Sequence, residues 1–71
     1  MNIKLSERLK KLRKDEKISQ AKLAEIIGVD KAMFGHVESG KSLVSIQVLM
    51  LLADFFKVTT DYLLGRSDKK N

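Results

Sequence analysis

Apolar residues recur at intervals of three and four along most of this chain, with charged residues between them. Leu5, Leu9 and Leu12 make one such stripe, and the Lys and Arg side chains around it predict an amphipathic helix from Leu5 to Glu16, with Ser6 near its start. Ile18 follows in a short connection. Ser19 then stands where a hydroxyl can accept from an orphan backbone N–H, so a second helix is expected over Gln20–Ile27, with Leu23, Ala24 and Ile27 inward. Gly28 ends it by taking a positive φ. Asp30 caps a third helix, Lys31–Ser39, where its charge also suits the positive end of the helix dipole. Only Phe34 and Val37 are clear core residues there, and Gly40 terminates the helix. After a loop over 41–44, Ser45 caps a fourth helix, Ile46–Lys57. Thr59 or Thr60 opens a short fifth one through Leu64, closed by Gly65. The polar tail from Arg66 to Asn71 is expected to fray. No alternating strand pattern appears and proline is absent, so the fold class is all-α.

Size and charge narrow what such a helical chain does. Seventy-one residues make one domain, which buries only roughly 60% of its unfolded surface and has little space for a walled catalytic pocket. With no cysteine and a single histidine, disulfides, thiolate metal sites and a histidine-rich zinc site are all excluded. No metal or other cofactor is expected. The formal charge of +5 points to a polyanionic partner, against the alternative of a merely solvated basic surface. Lys4, Arg8, Lys10, Lys11, Arg13, Lys14 and Lys17 crowd the first segment, while Lys31, His36 and Lys41, with Ser39 and Ser42, form a second group. The N-terminus is charged and never reaches an apolar signal core. The longest apolar run, Val48–Ala53, stops at Asp54 and is too short to span a bilayer. A cytoplasmic protein without a membrane partner is the expectation.

The segment from Ser19 to Gly40 is the most informative. It is a short helix, a glycine turn and a second short helix held by two core residues, so the outer face of the second, with Lys31, Ala32, Met33, Gly35 and His36, stays free. Two helices joined in this way cross steeply, and the second has the shape to enter a DNA major groove.

The residues in this frame carry a resemblance. Ser19-Gln20-Ala21-Lys22-Leu23-Ala24-Glu25-Ile26-Ile27-Gly28-Val29 resembles the SQ-x-x-LA-x-x-x-GV signature of Cro/CI-type (XRE-family) helix-turn-helix regulators. Met33–Lys41 is similar to that family's third helix, x-x-x-I-S-x-x-E-x-G-K, and Phe56–Gly65 to the closing G-V-S-x-D-x-L-L-G of phage-type repressors. The likeness runs from about Leu5 to Gly65. It implies a compact five-helix, lambda-repressor-like DNA-binding domain over 1–65, with helices two and three as the helix-turn-helix, followed by the tail at 66–71. The function it implies is sequence-specific binding of double-stranded DNA by a transcriptional regulator, in the repressing sense, as a homodimer on a near-palindromic operator. No small-molecule ligand is expected. Domains of this kind also serve as antitoxins or adaptors that bind another protein, which is the alternative reading.

Roles carry over by position. Gln20 would hydrogen-bond a phosphate; Lys31, Ala32 and His36 take base-reading positions, with Met33 and Gly35 beside them; Ser39, Lys41 and Ser42 would contact the backbone. Ala32 and Met33 suit thymine methyls rather than guanine, which leaves Lys31 for a guanine contact. Gly35 stands where the family often has serine; it either admits close approach to DNA or is simply tolerated. Arg13 and Glu38 match a partly buried ion pair that links the first and third helices. On the fourth helix Ile46, Leu49, Met50, Ala53 and Phe56 match core positions. Val48, Leu51 and Phe55 then form a second stripe needing burial, worth ~1.5–3 kcal/mol per side chain if covered. A second copy meeting this stripe, with Tyr62 and Leu63, is one way to cover it; the chain's own ends, such as Ile3, are another. No Gly-rich phosphate loop, acid/base pair or metal-ligand spacing is present, so no enzymatic activity is expected.

Overall fold

Among the described residues, four helices start at a side-chain oxygen that accepts from a backbone N–H three residues on. The computed structural model describes residues 3–70. Within them lie α1 (Ile3–Asp15), α2 (Gln20–Ile27), α3 (Lys31–Glu38), α4 (Ile46–Phe56) and α5 (Thr60–Leu64), and no strand. Ser19 accepts from the N–H of Lys22, Asp30 from Met33, Ser45 from Val48 and Thr59 from Tyr62, at 3.0 to 3.2 Å. Each bond satisfies a donor that the first helical turn leaves unpaired.

The ends of the helices show two kinds of left-handed residue. At Gly28 (φ +90°) the N–H groups of Gly28 and Val29 both return to the Ala24 carbonyl, at 2.8 and 2.9 Å. Lys17 and Lys57, by contrast, hold φ of 58° and 57° with a side chain attached, a conformation disfavoured by about 1–2 kcal/mol for most residues. Lys57 falls at the position that the closing repressor-like pattern gives to glycine.

One apolar cluster joins all the helices: Leu5, Leu9 and Leu12 of α1, Leu23 and Ala24 of α2, Phe34 and Val37 of α3, Leu52 and Ala53 of α4, Leu63 of α5, and Val58 between the last two. α1 packs on α3 and α5, and α2 packs on α3.

The structure changes the reading of α4. Leu49, Leu52, Ala53 and Phe56, at spacings of three and four, form its inward arc, whereas Ile46 is 76% and Met50 54% exposed. Leu52, not anticipated, is fully buried. The cause is the run Val48–Ala53, which is apolar all round the helix and so leaves periodicity unable to choose a face. Three residues assigned to an intermolecular surface are also displaced: Leu63 is fully buried in the core, and Val48 and Tyr62 are half-buried against it. Leu51 and Phe55 remain exposed. Cover from the Ile3 side chain lies outside the described residues, as do the first residues of the domain expected over 1–65 and the last of the tail over 66–71.

Tail residues through 70 have hydrogen-bond partners in the rest of the domain. Arg8 reaches across from α1, and its Nη1 donates to the carbonyls of Tyr62 and Ser67, both at 2.6 Å, while Nη2 meets Asp68 at 2.8 Å. The same guanidinium lies 4.2 Å from the centre of the Tyr62 ring. The Thr59 N–H donates to the Lys70 carbonyl at 2.7 Å. The last carbonyls of any α-helix lack intrahelical donors; here Arg8 adds one to the Tyr62 carbonyl.

Where α1 meets the end of α5, Gly65 (φ +80°) is close enough to Lys4 that an added Cβ would lie 2.5 Å from the Lys4 Cβ. Gly65→Ala is therefore expected to lower stability by roughly 2 kcal/mol or more, combining left-handed strain with displacement of α1. Urea denaturation of the two proteins checks this, and equal midpoints would contradict the packing described.

Candidate nucleic-acid interface

Helix α3 is eight residues long and is anchored on its inner side by Phe34 (0% exposed) and Val37 (1%). That arrangement leaves Lys31, Ala32, His36 and Ser39 exposed along its outer side, with Met33 and Gly35 half-buried at the edges. Lys41 is exposed and Ser42 half-buried just beyond. Apart from Gln20, which opens α2, the polar and cationic positions that sequence reasoning assigned to DNA lie on one outward face of α3 and just beyond its C-terminal end. Gly35 has no positive φ, and a Cβ added there would meet only Gln20 Oε1, at 3.9 Å. Nothing inside the domain requires glycine at this position.

Hydrogen bonding modifies the roles at the end of α3. The Ser39 hydroxyl donates to the His36 carbonyl at 3.0 Å, and the backbone N–H groups of Lys41 and Ser42 converge on that carbonyl at 2.9 and 3.3 Å. Donors at this end that remain available for a phosphate are the Lys41 ammonium and the Ser42 hydroxyl.

Arg13 of α1 and Glu38 of α3 meet in the interior. Arg13 Nε lies 2.6 Å from Glu38 Oε2 and Nη2 lies 3.1 Å from Oε1, while Nη1 donates to the Ile18 carbonyl at 2.7 Å. Only 12% of the Arg13 side chain and 2% of the Glu38 side chain are exposed. A bidentate pair of this kind is directional as well as charged.

Sequence reasoning missed that Glu38 also holds Gln20: Gln20 Nε2 donates to Oε1 at 2.9 Å. A carboxylate only accepts, so the NH2 end of the amide must face it. The second N–H of Gln20 and its Oε1 have no partner among the described residues, which leaves a donor at the start of α2 for an incoming group. No sequence signal links two residues eighteen apart on different helices.

Of the cations crowding the first segment, Arg8 and Arg13 are consumed internally. Lys4, Lys10, Lys11, Lys14 and Lys17 are exposed, with Lys11 3.5 Å from Asp15. No helix among the described residues is long and apolar enough to cross a membrane.

Comparison with known proteins follows the same frame. A family model described as helix-turn-helix matches residues 9–63. The HTH-type transcriptional regulator AnsR of Bacillus subtilis is 39% identical over 64 residues, covering 90% of this chain and 55% of that protein. The uncharacterised HTH-type regulator YobD of the same organism is 37% identical over 62 residues, covering 87% and 55%. The cryptic phage CTXphi transcriptional repressor RstR of Vibrio cholerae is 34% identical over 64 residues, covering 90% and 57%. The chain therefore spans about half the length of these relatives. Among solved structures, the restriction-modification controller protein C.AhdI of Aeromonas hydrophila superposes with a TM-score of 0.77 at 33% identity, covering 86% of this chain and 92% of that one.

Removing one partner of the interior pair strands the other charge. Glu38→Ala is expected to lower stability by about 3–5 kcal/mol, whereas Arg13→Leu combined with Glu38→Met recovers most of the loss. Chemical denaturation of both variants provides the measurement. A single substitution as harmless as a surface charge deletion would mean that the pair is solvated.

Proposed function

The chain belongs to the helix-turn-helix family whose model covers residues 9–63, and from that premise we propose that it binds duplex DNA sequence-specifically and regulates transcription. The observation that carries the reading is the exposed outer face of α3, where Lys31, Ala32 and His36 project from a helix fixed behind by Phe34 and Val37.

On this reading α3 enters the major groove. Lys31 donates to a guanine edge, and the Ala32 methyl and the edge of Met33 meet thymine methyls. His36 contacts a base or phosphate further along. Gln20, with the amide orientation that Glu38 imposes, donates to a phosphate on one flank, and Lys41 and Ser42 grip the backbone on the other. The Ser39 hydroxyl acts there only by leaving the His36 carbonyl.

One short helix reads few base pairs. Two copies related by a two-fold axis would read half-sites roughly 34 Å apart on a near-palindromic operator. Occupying such a site in the cytoplasm blocks transcription, the sense in which the phage relative RstR is a transcriptional repressor. Most of the affinity comes from phosphate contacts and weakens as salt rises.

Selection of bound fragments from random duplex DNA, followed by titration at several salt concentrations, tests the reading. Lys31→Ala should weaken binding roughly tenfold and relax preference at one base pair, within the ~1–3 kcal/mol of a good base contact. Gln20→Ala should weaken binding to all sequences about equally. Binding no stronger than to bulk DNA, or a Lys31→Ala variant with unchanged selectivity, would overturn the assignment and leave the antitoxin or adaptor role.

A further inference from the structure

Gly35 lies in the middle of α3, a place where glycine weakens a helix more than any residue except proline. None of the usual internal reasons for glycine applies. Its φ is not positive, whereas those of Gly28, Gly40 and Gly65 are. It caps nothing, because its carbonyl accepts from the Ser39 N–H at 3.0 Å and the helical bonds continue past it. An added Cβ would meet only Gln20 Oε1, at 3.9 Å, an ordinary contact; at Gly65 the same addition lands 2.5 Å from the Lys4 Cβ. Helix α3 has little stability to spare, with Phe34, Val37 and Glu38 its buried residues. A locally costly residue that the interior does not require is accounted for by a contact outside the chain.

Position 35 lies one turn on from Lys31 and Ala32, so its bare backbone belongs to the same outward side of α3. Among the described residues, the group beside it is the Gln20 amide, whose Nε2 is fixed by Glu38 Oε1 at 2.9 Å. That amide keeps one N–H for an incoming acceptor. Hydrogen in place of a side chain therefore leaves an indentation between the start of α2 and the middle of α3, next to a donor with a bond still to make. A methyl group there would project about 1.5 Å further, one carbon–carbon bond, and fill it.

We propose that Gly35 sets how closely α3 approaches DNA: the sugar attached to the phosphate that Gln20 binds packs on the bare Gly35 backbone. A side chain at this position would hold the helix off the bases. The inference rests on the DNA-binding reading and deepens it, and it decides between the two roles that the sequence leaves open for this glycine. Backing α3 away by a bond length would stretch a contact from Lys31 to a base edge beyond hydrogen-bonding range. Attraction between the exposed lysines and phosphates acts over longer distances and survives such a shift. Gly35 is therefore a determinant of selectivity more than of general affinity.

Fluorescence anisotropy on two duplexes tests this, one selected from random sequence and one a scrambled duplex of the same length. Gly35→Ala should raise the midpoint of urea unfolding by about 0.5 M, since the methyl group has room and the helix gains. It should nonetheless weaken binding to the selected duplex at least about tenfold, the loss of one good base contact. The scrambled duplex should be bound within about threefold of wild type. In a Gln20→Ala background the same change should cost about threefold or less, because the sugar is no longer drawn onto position 35. A fall in the urea midpoint would place the need for glycine inside the domain and overturn the proposal. Losses that multiply fully in the double variant would overturn the seat beside Gln20. A wild type that binds no duplex selectively would sink the regulator reading and the inference with it, whereas selective wild-type binding with an indifferent Gly35→Ala would sink the inference alone.

Discussion

The interior contact between Arg13 and Glu38 constrains everything else in this domain. α3 presents only Phe34 and Val37 to the core, and burying two such side chains yields about 1.5–3 kcal/mol each. That is enough to hold a helix against the domain, but apolar contact does not fix its rotation or its slide. A fork of Nε and Nη2 on two carboxylate oxygens does fix them, because such bonds weaken steeply with misalignment. An apolar pair of similar volume would be about as stable. What the charges add is direction: Glu38 at the end of α3 is tied to Arg13 at the end of α1, whose Nη1 also holds the Ile18 carbonyl of the α1–α2 connection, and to the first residue of α2 through Gln20. The side chain proposed for a phosphate and the helix proposed for base edges are thus set by one carboxylate.

Net charge is a poorer guide than position. Of the cations in the first segment, Arg13 neutralises Glu38, and Arg8 ends on the carbonyls of Tyr62 and Ser67 and on Asp68. The lysines of α1 that stay exposed act only through the long-range field, which falls off over about 8–10 Å at physiological salt. On the proposed function, selectivity therefore rests on Lys31 and its neighbours, while the remaining cations raise the general attraction to a polyanion.

Local chemistry was legible in the sequence. Ser19, Asp30 and Ser45 each read as a cap because a short polar side chain precedes an apolar period, Thr59 was one of two candidates with Thr60, and all four accept the expected bond. The core of α1, α2 and α3 followed from spacing, since each has a single apolar face. Three features were not legible. The inward face of α4 was ambiguous because Val48–Ala53 is apolar on every side, so Leu52 was missed and Ile46 and Met50 were placed inside. Arg8 makes its contacts 54 to 60 residues away, a distance over which no periodicity operates. Lys17 and Lys57 take a left-handed backbone without the glycine that usually signals it. Identification of the interior ion pair drew on family resemblance rather than on any pattern within the chain.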